Sequence, residues 1–157
     1  MPQYKLILKT GDVHGAGTDA RVRASIRSRY QQSRWFDLDK PGYDDFEQGD
    51  LDGYVIQTTY LGGDPEYLNI EMDMSGLGAA WYLDWVIVEE IETGKKWKGT
   101  PTYHWFDVEY STNPYEYPSN TTSQSMPLER DDSIVVPRKK VYHELPHGGG
   151  YVTEEEV

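Results

Sequence analysis

Two short stretches alternate in side-chain character with a period of two, and that period restricts the chain to β-structure more firmly than any other feature. In ARVRASIR, residues 20–27, Val22, Ala24 and Ile26 fall on one face and Arg21, Arg23, Ser25 and Arg27 on the other. In YLNIEMDM, residues 67–74, Leu68, Ile70 and Met72 share a face. Successive side chains of a strand point to opposite sides, so this is the pattern of a strand with one wet face. YKLILKT and DWVIVEEI read as more fully buried strands, and YVIQTTY as another. The turn signals GDVHGAGTD, KPG, LGGDP, SGLG and ETGKK separate them. No stretch holds a helical period. Many short strands with glycine-rich turns predict a sandwich or a barrel. Thirteen tyrosines and five tryptophans supply its core and favour strands.

The 157 residues suffice for one domain with a tail. After Asp107 the composition shifts to Ser, Thr, Asn and Pro, as in STNPYEYPSNTTSQSMP. Residues 1–107 are therefore expected to form the sandwich, and 108–157 a low-complexity, disordered or loosely attached tail. SIVVPRKKVY could add an edge strand or order on a partner, and HGGGYVTEEEV ends in an acid run.

A formal charge of −12 argues against nucleic acid, because phosphate binding needs a basic face. It equally opposes simple adhesion to anionic lipid unless a cation intervenes. There is no cysteine, hence no disulfide, thiol nucleophile or thiolate metal site. MPQYKLILKT lacks an apolar h-region, and no apolar run is long enough to span a bilayer. These features fit a cytoplasmic protein, peripheral at a membrane, and are also compatible with secretion.

The enzymatic motifs fail on physical grounds. HELPH, His143 to His147, matches a zinc-protease spelling, but Pro146 would sit inside the helix that must carry both histidines. No glycine-rich phosphate loop opens a helix, and no serine sits in a nucleophile elbow. A non-enzyme is expected.

Two segments have the chemistry of a cation site. GDVHGAGTDA, residues 11–20, offers glycines that let carbonyls converge, together with the oxygens of Thr18 and Asp19. DLDKPGYDDFEQGDLDG, residues 37–53, holds seven carboxylates against one lysine. Calcium takes about six to eight oxygens in flexible geometry, typically mixing carboxylates with backbone carbonyls. For the arginines on the wet face of ARVRASIR, solvated charge is the simpler reading, and contact with a lipid headgroup or an acidic partner through Arg21 and Arg23 the sharper one.

GAGTDA, then LDKPGYDDFEQGDLDGY, then a glycine turn and AAWYLDWVIVEE, together closely resemble the PLAT domain, the lipoxygenase-homology module of animal lipoxygenases. The resemblance runs from Tyr4 to about Asp107. It implies an eight-stranded antiparallel β-sandwich, non-catalytic, with calcium sites in the loops at one end that promote docking on membranes or proteins. Carried over by position, one calcium site falls on Gly17, Thr18, Asp39, Gly42 and Asp44, with Asp19 and Glu47 as further candidates. A neighbouring site would need acids where this chain has Gly15, Ala79 and Ala80, so it is expected to be lost. The resemblance thus implies calcium as cofactor, one ion rather than two, and a membrane lipid or protein as partner. The loop tips offer His14 and Leu77 in place of large aromatics, and a single leucine contributes only about 2 kcal/mol to insertion.

Overall fold

The structure is a computed structural model and describes residues 2–11, 21–38, 49, 51–72, 81–99, 104–106, 122–135, 138–144 and 150–156. Within these the chain is all β. The strands are β1 (Gln3–Thr10), β2 (Val22–Ser28), β3 (Phe36–Asp37), β4 (Leu51–Gln57), β5 (Pro65–Met72), β6 (Trp81–Glu90), β7 (Lys96–Gly99), β8 (His104–Phe106), β9 (Thr122–Arg130), β10 (Arg138–Glu144) and β11 (Gly150–Glu156).

Eight strands lie on one antiparallel path, β3-β2-β5-β9-β7-β6-β1-β4, and β8 pairs with β6 off that path. The eight-stranded antiparallel sandwich expected from the sequence is the observed architecture. One layer holds β4, β1, β6 and β7, and the other holds β3, β2 and β5. β9 serves both: residues 122–127 pair with β5, and residues 128–130 pair with β7.

The core follows from the alternation that defined the strands. Tyr4, Leu6 and Leu8 of β1 and Val22, Ala24 and Ile26 of β2 point inward and are buried, as are Leu68, Ile70 and Met72 of β5. Trp81, Leu83, Val86 and Val88 of β6 join them, as do Trp97 and Met126. The inward phase of β6 slips by one residue between Leu83 and Val86. Thr10 pairs with Leu83 and Lys9 with Trp85, so Asp84 is the extra residue of a bulge. β1 and β6 also bury Ile7 and Ile87 on their other face, in keeping with strands that read as more fully buried. Trp81 and Trp97 are core residues as expected, and Trp81 Nε1 donates to Thr10 Oγ1 at 2.9 Å.

The observed sandwich extends beyond the boundary expected at Asp107. β9 lies within the segment expected to be a tail, yet it separates β5 from β7, and its Met126 is fully buried. Pro127 is tolerated because it is the last residue paired with β5, and Leu128 is the first paired with β7. A missing N–H matters least where a strand passes from one partner to the next.

β10 and β11 form a separate two-stranded sheet. Its register sets Arg138, Lys139 and Lys140 opposite Glu156, Glu155 and Glu154. His143 and Glu144 of HELPH end strand β10, so this part of the motif is not on a helix.

Candidate functional site

The stems of the two cation-site segments meet at one end of the sandwich. Residues 12–20 connect β1 to β2, and residues 39–50 run from just after β3 to just before β4. Gly49 N–H donates to Gly11 O at 3.1 Å, joining the start of the first segment to the end of the second. Leu38 N–H donates to Val22 O at 2.9 Å, joining the end of the first to the start of the second. Both connections are thus clamped at both stems. β5 ends and β6 begins at this same end, since Met72 pairs with Val22 and Leu83 with Thr10.

Three local features hold the clamp. Gly11 N–H donates to Tyr82 O at 2.9 Å, and a side chain at Gly11 would collide with the Tyr82 ring, 2.8 Å from Cε1. Gly49 has φ 75°, where a Cβ is strained. Lys9 Nζ donates to Gly49 O, so an ammonium sits at the foot of the acidic segment. None of these three was singled out by sequence reasoning. The glycine that ends EQG was the available signal for the turn.

The expected calcium ligands Gly17, Thr18, Asp19, Asp39, Gly42, Asp44 and Glu47 lie outside the described residues, as do His14, Leu77, Gly15, Ala79 and Ala80. Among the described residues, no group of three potential metal ligands comes together. Two acids stand on the strands below this end. Asp52 of β4 is fully buried, and Asp84 at the β6 bulge has a buried Oδ1 with no hydrogen-bond partner among the described residues.

Arg21 and Arg23 are described. Arg23 stacks on Trp35, its Cζ 4.9 Å from the ring centroid, and pairs with Glu71 through Nε at 2.9 Å and Nη2 at 2.5 Å. Arg21, Arg23, Asp37 and Glu71 line a small depression on this face. Arg23 therefore balances a neighbouring acid. Arg27, stacked 4.4 Å over Tyr67, and Arg34, stacked 4.2 Å over Phe36, make no ion pair with any described residue. Behind them a polar ladder crosses the same sheet. Asn69 Nδ2 donates to Ser25 Oγ at 3.0 Å, and Ser125 Oγ donates to Asn69 Oδ1 at 2.7 Å.

Comparison with known proteins agrees with this architecture. The family model for the PLAT/LH2 domain matches residues 4–118. The human lipoxygenase homology domain-containing protein 1 is 37% identical over 89 residues, covering 57% of this chain and 4% of that protein. The Arabidopsis thaliana PLAT domain-containing protein 2 is 32% identical over 124 residues, covering 72% of this chain and 66% of that protein. This chain therefore spans only a small fraction of the human relative. Among solved structures, coral 8R-lipoxygenase, described as calcium-activated through a C2-like domain, superposes with TM-score 0.66 at 22% identity. That alignment covers 80% of this chain and 17% of the lipoxygenase. A calcium-dependent 11R-lipoxygenase gives TM-score 0.59 at 25% identity, over 85% of this chain and 19% of its own. The family match, over most of the chain and across both clamped connections, leads to one conclusion: the chain belongs to the PLAT/LH2 domain family.

Proposed function

We propose that this chain is a non-catalytic, calcium-responsive binding module that docks on a membrane surface or a protein partner. The observation that carries this reading is the double clamp, Gly49 to Gly11 and Leu38 to Val22, which fixes the stems of the glycine-rich and acidic segments side by side. Loops with adjoining stems are able to share one ion. Their donors are hard oxygens and the chain has no thiolate, which suits calcium better than a soft transition metal. Among the described residues the buried Oδ1 of Asp84 has no hydrogen-bond partner, which leaves a carboxylate oxygen below the loops.

Calcium would be held by the carboxylates of Asp19, Asp39, Asp44 and Glu47 with oxygens of Gly17, Thr18 and Gly42. Bound there, it would offset carboxylate repulsion. Lys9 supports the stem of the acidic segment through Gly49 O. His14 and Leu77 would be the contacts at the loop tips, with Arg21 contributing from just before β2. With Gly15, Ala79 and Ala80 at the neighbouring positions, one ion binds per chain.

Calorimetric titration with calcium, paired with thermal melting, tests the reading. The expected result is one ion per chain with a rise in melting temperature. No binding and no stabilisation at millimolar calcium would overturn it. A second reading, a calcium-independent interaction module, is favoured by the clamp itself, whose hydrogen bonds use only the chain's own backbone. The double variant Asp39→Ala/Asp44→Ala separates the two, because it should lose vesicle or partner binding only if the ion is required.

A further inference from the structure

At the end of the sandwich away from the two clamped connections, three turns lie wholly within the described residues. Residues 29–32 follow β2, residues 58–64 connect β4 to β5, and residues 91–95 turn β6 into β7. Five large apolar residues of the described chain are exposed, and three of them stand on these turns: Tyr30 at 69%, Tyr60 at 73% and Ile91 at 41%.

The turns are tied to one another. The ring of Tyr30 lies against the backbone of Gly62 and Gly63, where an added Cβ would meet it at 3.5 and 3.6 Å. Ser28 Oγ donates to Leu61 O at 2.5 Å and accepts from the N–H groups of Tyr30 and Gln31, each at 3.1 Å. Thr58 N–H donates to Pro2 O and Ile91 N–H to Gln3 O, both at 3.0 Å, so the second and third turns share the start of β1. Asp64 pairs with Lys95 at 3.2 Å and with Arg130 at 3.5 Å. The exposed tips are therefore held in place before anything binds, which lowers the entropy cost of docking.

The charges on these turns differ in sign from one layer to the other. The turn after β2 belongs to one layer and the β6–β7 turn to the other, while residues 58–64 cross between the layers from β4 to β5. RYQQ, residues 29–32, carries Arg29 and no acid. IETGK, residues 91–95, carries Glu92 and Lys95, and Lys95 is already paired with Asp64. Arg29 and Glu92 are exposed and make no ion pair with any described residue. A cation on one side, an acid on the other and Tyr60 on the crossing form a self-complementary pattern, because a two-fold axis exchanges the sides.

We propose that this end is a self-association surface, which docks a second copy of the chain end to end about a two-fold axis. Arg29 of each copy faces Glu92 of the other, Tyr30 packs on Ile91, and the two Tyr60 rings meet near the axis. Tyrosine anchors within a polar rim suit a specific protein contact. The net charge of −12 does not forbid it, because the acidic segment lies at the opposite end, beyond strands of 8 to 10 residues. Such strands span about 25–33 Å, several times the Debye length of about 8 Å. An anionic bilayer offers no counterpart to Glu92. The two loop ends of the dimer point in opposite directions, so it can bridge two surfaces. The contact uses no calcium, so it stands or falls separately from the loop-end reading.

The test is sedimentation velocity of the whole chain from micromolar to millimolar concentration, with a calcium chelator present. A monomer–dimer equilibrium is expected. Arg29→Glu and Glu92→Arg should each weaken it by about tenfold with an unchanged melting temperature, and the two together should restore it. Tyr60→Asp should leave the chain monomeric. The proposal is overturned if the wild-type chain stays monomeric throughout, if Tyr60→Asp dimerises equally well, or if the double swap associates no better than either single variant. Binding to phosphatidylcholine vesicles that Tyr60→Asp abolishes, with no dimer formed, would assign this end to lipid and also overturn it.

Discussion

The N–H of Gly49 meets the carbonyl of Gly11 across 3.1 Å, joining positions on either side of two strands and two long connections. Both glycines are required by geometry, one by its φ of 75° and the other by the Tyr82 ring. Gly49→Ala should lower stability by about 1 kcal/mol. Gly11→Ala should lower it by about 1–3 kcal/mol, because the ring or the backbone must move. Urea denaturation of both variants checks this. If Gly11→Ala matched wild type, the close approach would not constrain the loop end.

β9 should be indispensable to the sandwich. Met126→Ala removes a side chain that is 1% exposed and is expected to cost about 2–5 kcal/mol. A chain ending at Asp107 lacks the strand between β5 and β7 and should show no cooperative melt. Circular dichroism with temperature would reveal either outcome.

The Ser25–Asn69–Ser125 ladder makes a graded prediction. Asn69→Ala deprives buried Ser25 of a donor and should cost about 1–3 kcal/mol, whereas Ser125→Ala, at an exposed position, should cost less. Equal losses would mean that the ladder is held from the β9 side.

Alkaline pH should destabilise the fold through Tyr4. Burial, reinforced by Glu90, Asp64 and Tyr60, raises its phenol to about 12 from an ordinary value of 10.0. The folded state favours the protonated form, so the contribution is complete below pH 10.0 and is lost as pH rises towards about 12. Tyr4→Phe should flatten melting temperature against pH in that window. At the acid end the sign reverses. The Arg130 side-chain hydrogen bond holds Asp132 well below its usual 3.8, so that contribution is present above 3.8 and is lost on further acidification.

Much of the sandwich was legible because β1, β2, β5 and β6 carry enough aliphatic residues for a period of two to stand out. β9 was not legible. TSQSMPLER puts only Met126 and Leu128 towards the core, and Ser123, Ser125 and Pro127 are exposed. Such a strand is defined by the two sheets it joins, and no local pattern records them. The loop-end site was legible as chemistry, in carboxylates and glycines. Its supports were not, since Lys9 reaching Gly49 and Tyr82 closing over Gly11 depend on pairings between distant strands. Arg23 was legible only as a charge on a wet face, and its balancing by Glu71 follows from the β2–β5 register, which sets the two residues opposite each other.

The shared strand also sets when this protein can fold. Ser125 meets Asn69 across 56 positions of chain, and no earlier described strand occupies the gap between β5 and β7. During synthesis both flanking strands must wait, with that side of each unfilled, until residue 130 has left the ribosome. Such late, non-local closure is slow and exposes sticky edges meanwhile. Chaperone demand should therefore concentrate in the interval before β9 emerges.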